Sequence, residues 1–305
     1  MGGPEAHLIF VNQRPYRIWS GVSHFRTEDF LQRFDPLHHV HLGRLLESGL
    51  DGEAPDPALL GIRTVHGLAT EAFFALLFAL LQAPEAPAAW FLLYRPGDIE
   101  ELTRRFESGE RLPSRINPDI KSWQSLAQLL IPIDDEESVQ CFGTFWKRLA
   151  ADYRNDQTKQ EFNSLKHGLR ARAGSPYVAI GGHELAVAEH GSSFPVVSRR
   201  KTEVVLSFGS RSWSARSLLA ELELLSASMI NLLTLLKQLH GLEKHLEFEV
   251  PEETLFEAAE PPKTQVLSSL AFKTNWPPDG RLEPLDKNNA LASYEQLGKL
   301  SWAKR

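Results

Sequence analysis

The segment at residues 161–172, EFNSLKHGLRAR, carries polar side chains at the spacing of one face of an α-helix. Positions i, i+3, i+4 and i+7 of this face hold Asn163, Lys166, His167 and Arg170. They form a polar stripe beside an apolar one. The polar stripe combines permanent cations, an amide and an imidazole that titrates near neutral pH. Such groups can bind a phosphate and, with His167 as acid or base, can act on a phosphodiester.

Two less specific interpretations of the polar stripe stay open beside catalysis. Lys and Arg next to an apolar stripe are typical of a solvated helix face, and His167 would then cap or hydrogen-bond a neighbouring element. The stripe could also bind an anion without catalysing any reaction. Gly168, directly after the histidine, either allows close backbone approach or ends the helix.

The run F-N-S-L-K-H within this segment resembles the R-N-x-x-x-H motif of the HEPN superfamily, the higher eukaryote and prokaryote nucleotide-binding domains. Asn163 matches the polar position of the motif and His167 matches its histidine. Phe162 stands where the family keeps its arginine. The resemblance covers residues 135–240. It implies a helical and often dimeric domain, of a superfamily in which many members are ribonucleases of toxin–antitoxin and antiviral systems.

The resemblance also implies roles for individual residues. His167 would be the general acid or base of a metal-independent ribonuclease, and Asn163 would orient it. The chemistry of the segment itself, rather than the motif, makes Lys166, Arg170 and Arg172 the expected phosphate-binding residues. Because Phe162 replaces the arginine of the motif, catalysis is left open even where binding is expected.

A second basic segment lies at residues 198–201, SRRK, in a predicted hairpin turn. Such a turn is usually just solvated. If the hairpin folds over the helix at 160–170, however, both sets of cations would form one basic groove, with Arg211 and Arg216 nearby, as RNA binding requires. Phe208 and Trp213 would then offer surfaces on which bases stack.

Other candidate sites are weaker. The run LHHVHLG brings His38, His39 and His41 together, but no DxxE or HExxH motif accompanies them, so we expect no metal site. His66 and Glu71 are five residues apart, which separates them by 140° on a helix, so each is expected to pair with a neighbouring helix. The single cysteine, Cys141, is expected to be a core residue.

Composition limits the range of functions. The chain has 305 residues and a net charge of −6, so nucleic-acid binding would need a local basic patch. The longest apolar run, residues 72–81, is half the roughly 20 residues of a membrane span. The N-terminus lacks the pattern of a signal peptide. We therefore expect a cytoplasmic protein without a membrane segment. The sequence contains no glycine-rich phosphate loop, so we expect neither a nucleotide hydrolase nor a bound cofactor.

Apolar periodicity predicts a strand in HLIFV, a Pro/Gly loop at residues 52–61 and helices at residues 26–34, 37–49, 64–82, 96–109, 120–131, 133–156 and 158–171. The period then changes. YVAI and HELAVA flank Gly181-Gly182, and FPVVS and TEVVLSF flank the basic turn, so two β-hairpins are predicted. Ser214 is the predicted N-cap of the longest helix, which runs to Gly241.

These elements predict a mainly α protein, a multi-helix core with a small antiparallel β-hairpin insertion before the longest helix. The predicted organisation is an N-terminal mixed segment at 1–60, a helical core at 61–244 with the β insertion at 176–209, and an irregular C-terminal extension at 245–305. Our first functional hypothesis is a bacterial-type HEPN-like protein of a defence or toxin system that binds RNA or nucleotide, with a homodimer as a further option. The alternative is an inert interaction or scaffold protein in which the stripe anchors the β insertion.

Overall fold

The structure is a computed structural model that describes residues 6–53, 55–112, 114–116, 120–166, 171–174, 177–180, 183–186, 190–200, 203–260 and 281–282. The helices are α1 (Ser20–Arg33), α2 (His38–Glu47), α3 (Pro55–Gln82), α4 (Pro87–Leu93), α5 (Pro96–Glu107), α6 (Trp123–Leu130), α7 (Glu136–Arg154), α8 (Asp156–Lys166), α9 (Ala215–Leu239) and α10 (Glu253–Ala258). The strands are β1 (Ala6–Val11), β2 (Arg14–Trp19), β3 (Arg172–Ala173), β4 (Tyr177–Ile180), β5 (His183–Ala186), β6 (His190–Arg200), β7 (Glu203–Trp213) and β8 (Arg281–Leu282).

Helices α3 and α9 form the centre of the protein, where they pack along one another. Phe73, Phe74 and Phe78 of α3 have no exposed surface and belong to the largest apolar cluster. Burying a Phe side chain stabilises the fold by about 1.5–3 kcal/mol, so this half of α3 drives the assembly of the core. The same cluster includes Ile9 of β1 and Ala259 after α10, so residues from the first strand and from beyond the last helix contribute to it.

The central helix begins earlier than its sequence predicts. The prediction of a loop at residues 52–61 is wrong, because α3 begins at Pro55. Pro55 and Pro57 fit in the first turn of a helix, whose N–H groups have no intrahelical partners. As a result α3 has 28 residues and exceeds α9, which has 25. The predicted fold class is confirmed, and the β1–β2 hairpin precedes α3 in the chain.

The start of α9 was predicted correctly, because its cap is visible in the sequence. Ser214 caps α9 by accepting a hydrogen bond from the backbone N of Ser217. Asp135 caps α7 in the same way, and Glu136 and Glu137 place negative charge at the positive end of that helix.

Both predicted β-hairpins are present. β4 pairs antiparallel with β5, and the Gly181-Gly182 turn between them lies outside the described residues. β6 pairs antiparallel with β7 over 11 residues, from His190 opposite Trp213 to Arg200 opposite Glu203. The second hairpin is longer than predicted, and β3 and β8 extend its sheet in the order β3-β6-β7-β8.

Helix α8 lies between the central helices and this sheet. It packs against α3 and α7 and against β6 and β7. Its Leu165 joins a small apolar cluster with Leu60 of α3 and Phe194 of β6. This position turns one face of α8 towards the sheet and leaves the face of the polar stripe on the outside.

Helices α6 and α7 meet at a glycine, which gives a test of their packing. A Cβ at Gly143 would lie 2.8 Å from Cα of Gln124 and 3.0 Å from its backbone N. Because backbone atoms cannot rotate away, we expect Gly143→Ala to lower the free energy of unfolding by about 1–3 kcal/mol in urea titrations. Gly97→Ala is the matched control, since its Cβ would meet nothing within 4 Å. Equal unfolding free energies for the two variants would contradict this packing.

By length and composition alone, α3 and α9 could each cross a membrane. In the structure, 72% and 78% of their most apolar stretches are buried by other parts of the protein. Core helices of soluble proteins have the same property, so the figures are weak evidence in either direction. The absence of a membrane segment and the cytoplasmic location stay predictions.

Candidate functional site

The described half of the polar stripe is exposed on α8. Asn163 and Lys166 both face solvent. The Nζ atom of Lys166 lies 3.6 Å from Oε2 of Glu71 in α3 and 5.5 Å from the ring centroid of Phe162. His167 and Arg170 lie outside the described residues.

Asn163 and Lys166 line a pocket of about 250 Å³ between α3, α5, α7 and α8, which we call the stripe pocket. Its lining combines aromatic rings, carboxylates, an amide and ammonium groups. Prominent members are Gly67, Glu71, Gly97, Glu100, Tyr153, Lys159, Phe162, Asn163 and Lys166. Arg172 is exposed in β3 and is not part of this described lining, so the structure does not bring it together with Lys166 there.

Phe162, which replaces the arginine of the HEPN motif, packs against α3. A Cβ added at Gly67 would come within 2.4 Å of two carbons of the Phe162 ring. The glycine therefore lets the ring lie directly on the helix backbone. The ring forms part of the wall of the stripe pocket.

Glu71 sets the electrostatics at one end of the stripe pocket. Its side chain is 12% exposed, and its contacts with the Tyr94 hydroxyl and the Lys166 ammonium are long, at 3.5 and 3.6 Å. Burial, followed by the Glu71 charge, raises the pKa of Tyr94 to about 12 and the pKa of Tyr153 still further. Both phenols therefore stay protonated and can donate hydrogen bonds.

Charged residues are buried behind this pocket, around the carboxylate of Glu161 in α8. Glu161 has no exposed surface. It accepts hydrogen bonds from Nε and Nη2 of Arg63 at 3.0 and 2.8 Å, from Nε1 of Trp213 at 3.1 Å, and from the hydroxyl of Ser192. Arg211 adds a longer contact of 3.4 Å. Burial favours the neutral acid, but the guanidinium charges of Arg63 and Arg211 outweigh it and hold the pKa of Glu161 below its ordinary value.

A second hydrogen-bond chain passes through His66. Its Nδ1 lies 3.0 Å from Nη1 of Arg63, and its Nε2 lies 2.5 Å from Oε2 of Glu221 in α9. Because a guanidinium can only donate, Nδ1 must accept, and the proton of the neutral ring sits on Nε2 and is donated to Glu221. Glu221 also accepts a bond of 2.6 Å from Arg148. Burial opposes ionisation of Glu221, but the Arg148 charge and the hydrogen bonds from His66 and Arg148 hold its pKa below its ordinary value.

Together, Arg63, His66, Glu161, Arg211 and Glu221 form the buried charge cluster. It joins α3, α8, α9 and β7, and each member is at most 7% exposed. The prediction that His66 and Glu71 pair with neighbouring helices is confirmed by their contacts with Glu221 and Lys166.

On the far side of the cluster lies a larger depression of about 520 Å³, which we call the arginine cleft. Its lining includes Arg63, Arg148, Asp152, Arg211, Ser212, Trp213, Ser214 and Glu221. Arg63, His66 and Asp152 line both depressions and so form the wall between them.

Two residues predicted to take part in a basic groove are buried instead. Trp213 is 5% exposed and packs with Leu59 and Ile62, so it offers no surface on which a base could stack. Arg211 is tied to Asp152 and Thr158. The segment predicted as a basic turn, residues 198–201, belongs to strand β6 as far as Arg200, and its side chains and that of Phe208 lie outside the described structure.

The remaining candidates are not assembled into sites. His38, His39 and His41 are in helix α2, as predicted, with the rings of the first two 5.3 Å apart. Within the described residues no group of three or more His, Cys, Asp or Glu side chains is placed to hold a metal ion. Cys141, expected to be a core residue, is only half-buried, and burial raises the pKa of its thiol.

Comparison with family models, with curated proteins and with solved structures gave no match. The functional argument therefore rests on the two depressions and the wall between them.

Proposed function

We propose that the protein binds RNA or a nucleotide at the stripe pocket, with the base inside the pocket and the phosphate at the polar stripe. The observation that carries the proposal is the lining of the pocket, where aromatic rings and hydrogen-bonding groups stand beside an exposed lysine. The volume of about 250 Å³ suits a group of the size of a nucleobase.

The walls of the stripe pocket match the chemistry of a base. Phe162 and Tyr153 offer ring faces, and stacking on an aromatic ring is worth about 1–3 kcal/mol per base. Glu71 and Asn163 offer acceptors for the amino groups of a base, and the Asn163 amide can also donate. The long contacts of Glu71 leave its oxygens available to a ligand.

The polar stripe supplies the charge that a phosphate requires. Lys166 is 41% exposed at the end of α8. In the stripe predicted from the sequence, His167 and Arg170 would follow it, and the HEPN resemblance would make His167 the general acid or base with Asn163 as its orienter. Binding is the core of the proposal, because Phe162 leaves the motif without its arginine. The resemblance further implies a homodimer and a role in a bacterial defence or toxin system.

Binding can be measured by the fluorescence polarisation of a labelled ten-nucleotide single-stranded RNA and by calorimetry with AMP, GMP, CMP and UMP. We expect Lys166→Gln to weaken binding roughly tenfold, since it removes a charge-assisted contact to phosphate. The matched control is Lys147→Gln, which removes the same charge from an exposed position of α7. The proposal fails if the wild type does not bind any of these ligands or if the two variants bind equally.

Catalysis is tested separately, by RNA cleavage with the wild type and with His167→Ala. A folded His167→Ala variant that still binds RNA but no longer cleaves it would support the acid–base role. Equal cleavage by the two proteins would remove His167 from catalysis, and no cleavage by either would leave a binding protein.

The second candidate function is an inert interaction or scaffold protein. The observation that favours it is the position of Glu161, which accepts hydrogen bonds from Ser192 and Trp213 and so connects α8 to the β6–β7 hairpin. These contacts give α8 a structural role that needs no ligand. The absence of binding in both assays, with all variants folded, would favour this candidate.

A further inference from the structure

One carboxylate in the described lining of the stripe pocket, that of Glu71, has only distant partners. The other two carboxylates of this lining belong to Glu100 and Asp152. Glu100 accepts a hydrogen bond of 2.8 Å from the ammonium of Lys159. Asp152 is bound by the guanidinium of Arg211. Glu71 is therefore the carboxylate of this lining that is available to a ligand.

The surroundings of Glu71 favour a ligand that donates two hydrogen bonds. Its side chain is 12% exposed, so water reaches little of it. The Tyr94 hydroxyl lies 3.5 Å from Oε1, and the Lys166 ammonium lies 3.6 Å from Oε2. Both distances exceed the roughly 3.2 Å at which good hydrogen bonds end. Because a charge removed from water needs hydrogen-bond partners, two donors of a ligand, one for each oxygen, would complete the site.

Guanine is the nucleobase that offers two such donors side by side. Its N1–H and 2-amino groups are neighbours on the Watson–Crick edge, so a carboxylate accepts both through parallel, charge-assisted hydrogen bonds, as it does from an arginine. Adenine and cytosine place an amino group beside a ring nitrogen that carries a lone pair. Uracil places a single N–H between two carbonyl oxygens. Each of these three bases would direct a lone pair at one oxygen of Glu71, and a site of this kind rejects such a mismatch.

The rest of the lining suits a guanine in this orientation. Phe162 offers a ring face that packs against the backbone at Gly67. Burial, followed by the Glu71 charge, raises the pKa of Tyr153, so this phenol keeps its proton and can donate a hydrogen bond to the O6 atom of guanine. Gly97 lines the pocket at a point where a Cβ would meet nothing within 4 Å, which leaves room for the second ring of a purine.

We propose that the stripe pocket selects guanine, and that Glu71 determines this choice by accepting the N1–H and 2-amino groups of the base. The ligand is then a guanine nucleotide or a single-stranded RNA that contains guanine. The proposal rests on the proposed function, since it names the base that the pocket would hold. Lys166, whose side chain is 41% exposed, can turn from Glu71 towards the phosphate when the base binds.

The test compares the affinities of the full chain for GMP, IMP, AMP, CMP and UMP by calorimetry. IMP is GMP without the 2-amino group, so it isolates one of the two proposed hydrogen bonds. We expect GMP to bind roughly tenfold more tightly than AMP, CMP or UMP, or better, and IMP to lie between. This comparison uses the wild type alone, so it does not depend on the folding of any variant.

Two labelled ten-nucleotide single-stranded RNAs distinguish the sources of the base. One contains guanine and the other contains only adenine, cytosine and uracil. We expect the first to bind more tightly than the second. Tighter binding of the guanine-containing RNA than of GMP would identify RNA as the ligand, and weaker binding would identify the nucleotide. Either result supports guanine selection.

Glu71→Gln tests the residue that makes the choice. The amide keeps the shape of the side chain but replaces one acceptor by a donor, which matches the amino group and ring nitrogen of adenine. The variant should bind GMP roughly tenfold more weakly than the wild type does and AMP more tightly. Glu100→Gln is the matched control, because it removes the same charge from the same lining at a carboxylate already bound to Lys159. It should keep the preference for GMP.

The outcomes separate guanine selection from the proposed function. Equal affinities of the wild type for all five nucleotides, still weakened by Lys166→Gln, would overturn guanine selection and leave the proposed function in place. Lack of binding of any nucleotide or RNA would overturn both. A preference for GMP that is unchanged in Glu71→Gln, or equally lost in Glu100→Gln, would overturn the role of Glu71.

Discussion

Replacing Glu161 by alanine is expected to lower the free energy of unfolding by about 3–5 kcal/mol. The substitution leaves Arg63 and Arg211 buried without the carboxylate that compensates them. It also removes the acceptor of the Trp213 indole N–H and the Ser192 hydroxyl, in a part of the protein from which water is excluded. An unpaired buried charge costs far more than the loss of a surface ion pair.

Urea unfolding of Glu161→Ala beside Glu257→Ala measures this effect. Glu257 is exposed in α10, so its removal should change the free energy of unfolding by no more than about 0.5 kcal/mol. Glu161→Gln keeps the shape of the side chain but not its charge, and it should lose most of the same stability. Amide hydrogen exchange should show faster opening of β6 and β7, because Glu161 hydrogen-bonds both strands to α8. A loss below about 1 kcal/mol for Glu161→Ala would show that the cluster contributes little to the fold.

The sequence predicted elements well where the signal is local. Ser214 is a visible N-cap, and the Gly181-Gly182 pair between β-branched runs indicates a hairpin. The start of α3 was missed for an equally local reason, because Pro55 and Pro57 suggest a loop although both are allowed in a first helical turn.

The site was harder to predict, because its members come together only in three dimensions. Arg63 and Glu161 are 98 positions apart in the chain, and His66 and Glu221 are 155 apart. A usable signal was present, since Arg63 and Glu221 each stand next to apolar residues in a long helix. A charge in such a place requires a partner of opposite sign. Periodicity could not identify that partner, because its identity depends on how α3, α8 and α9 pack.

The polar stripe also shows what the sequence could predict and what it could not. The spacing of Asn163 and Lys166 correctly predicted that they share one exposed face of α8. Helical periodicity could not show that Glu161 lies on the face towards the sheet. There Glu161 anchors the β insertion, a role that the scaffold hypothesis gave to the polar stripe. Trp213, predicted to offer a stacking surface, instead points inward and donates its indole N–H to the same carboxylate.

Acid is expected to destabilise the protein through the buried charge cluster. The folded-state pKa values of Glu221 and Glu161 both lie below the ordinary value of a glutamate. A carboxyl whose pKa is depressed by folding stabilises the protein at pH values above its unfolded pKa, and the stabilisation is lost as the pH falls towards its folded pKa. The stabilisation by both carboxyls is therefore fully present above about pH 5 and is lost progressively as the pH falls below that value.

The measurement is the free energy of unfolding in urea at pH 6.5, 5, 4 and 3, for the wild type and for Glu221→Gln. The variant should be less stable at pH 6.5, because a neutral amide no longer balances Arg148, but its stability should fall less steeply below pH 5. Glu257→Gln, at an exposed position, should follow the slope of the wild type. Parallel slopes for wild type and Glu221→Gln would mean that this carboxyl titrates alike in the folded and unfolded chains. In that case the bonds from His66 and Arg148 would not favour its ionised form, and the wall between the two depressions would not depend on its charge.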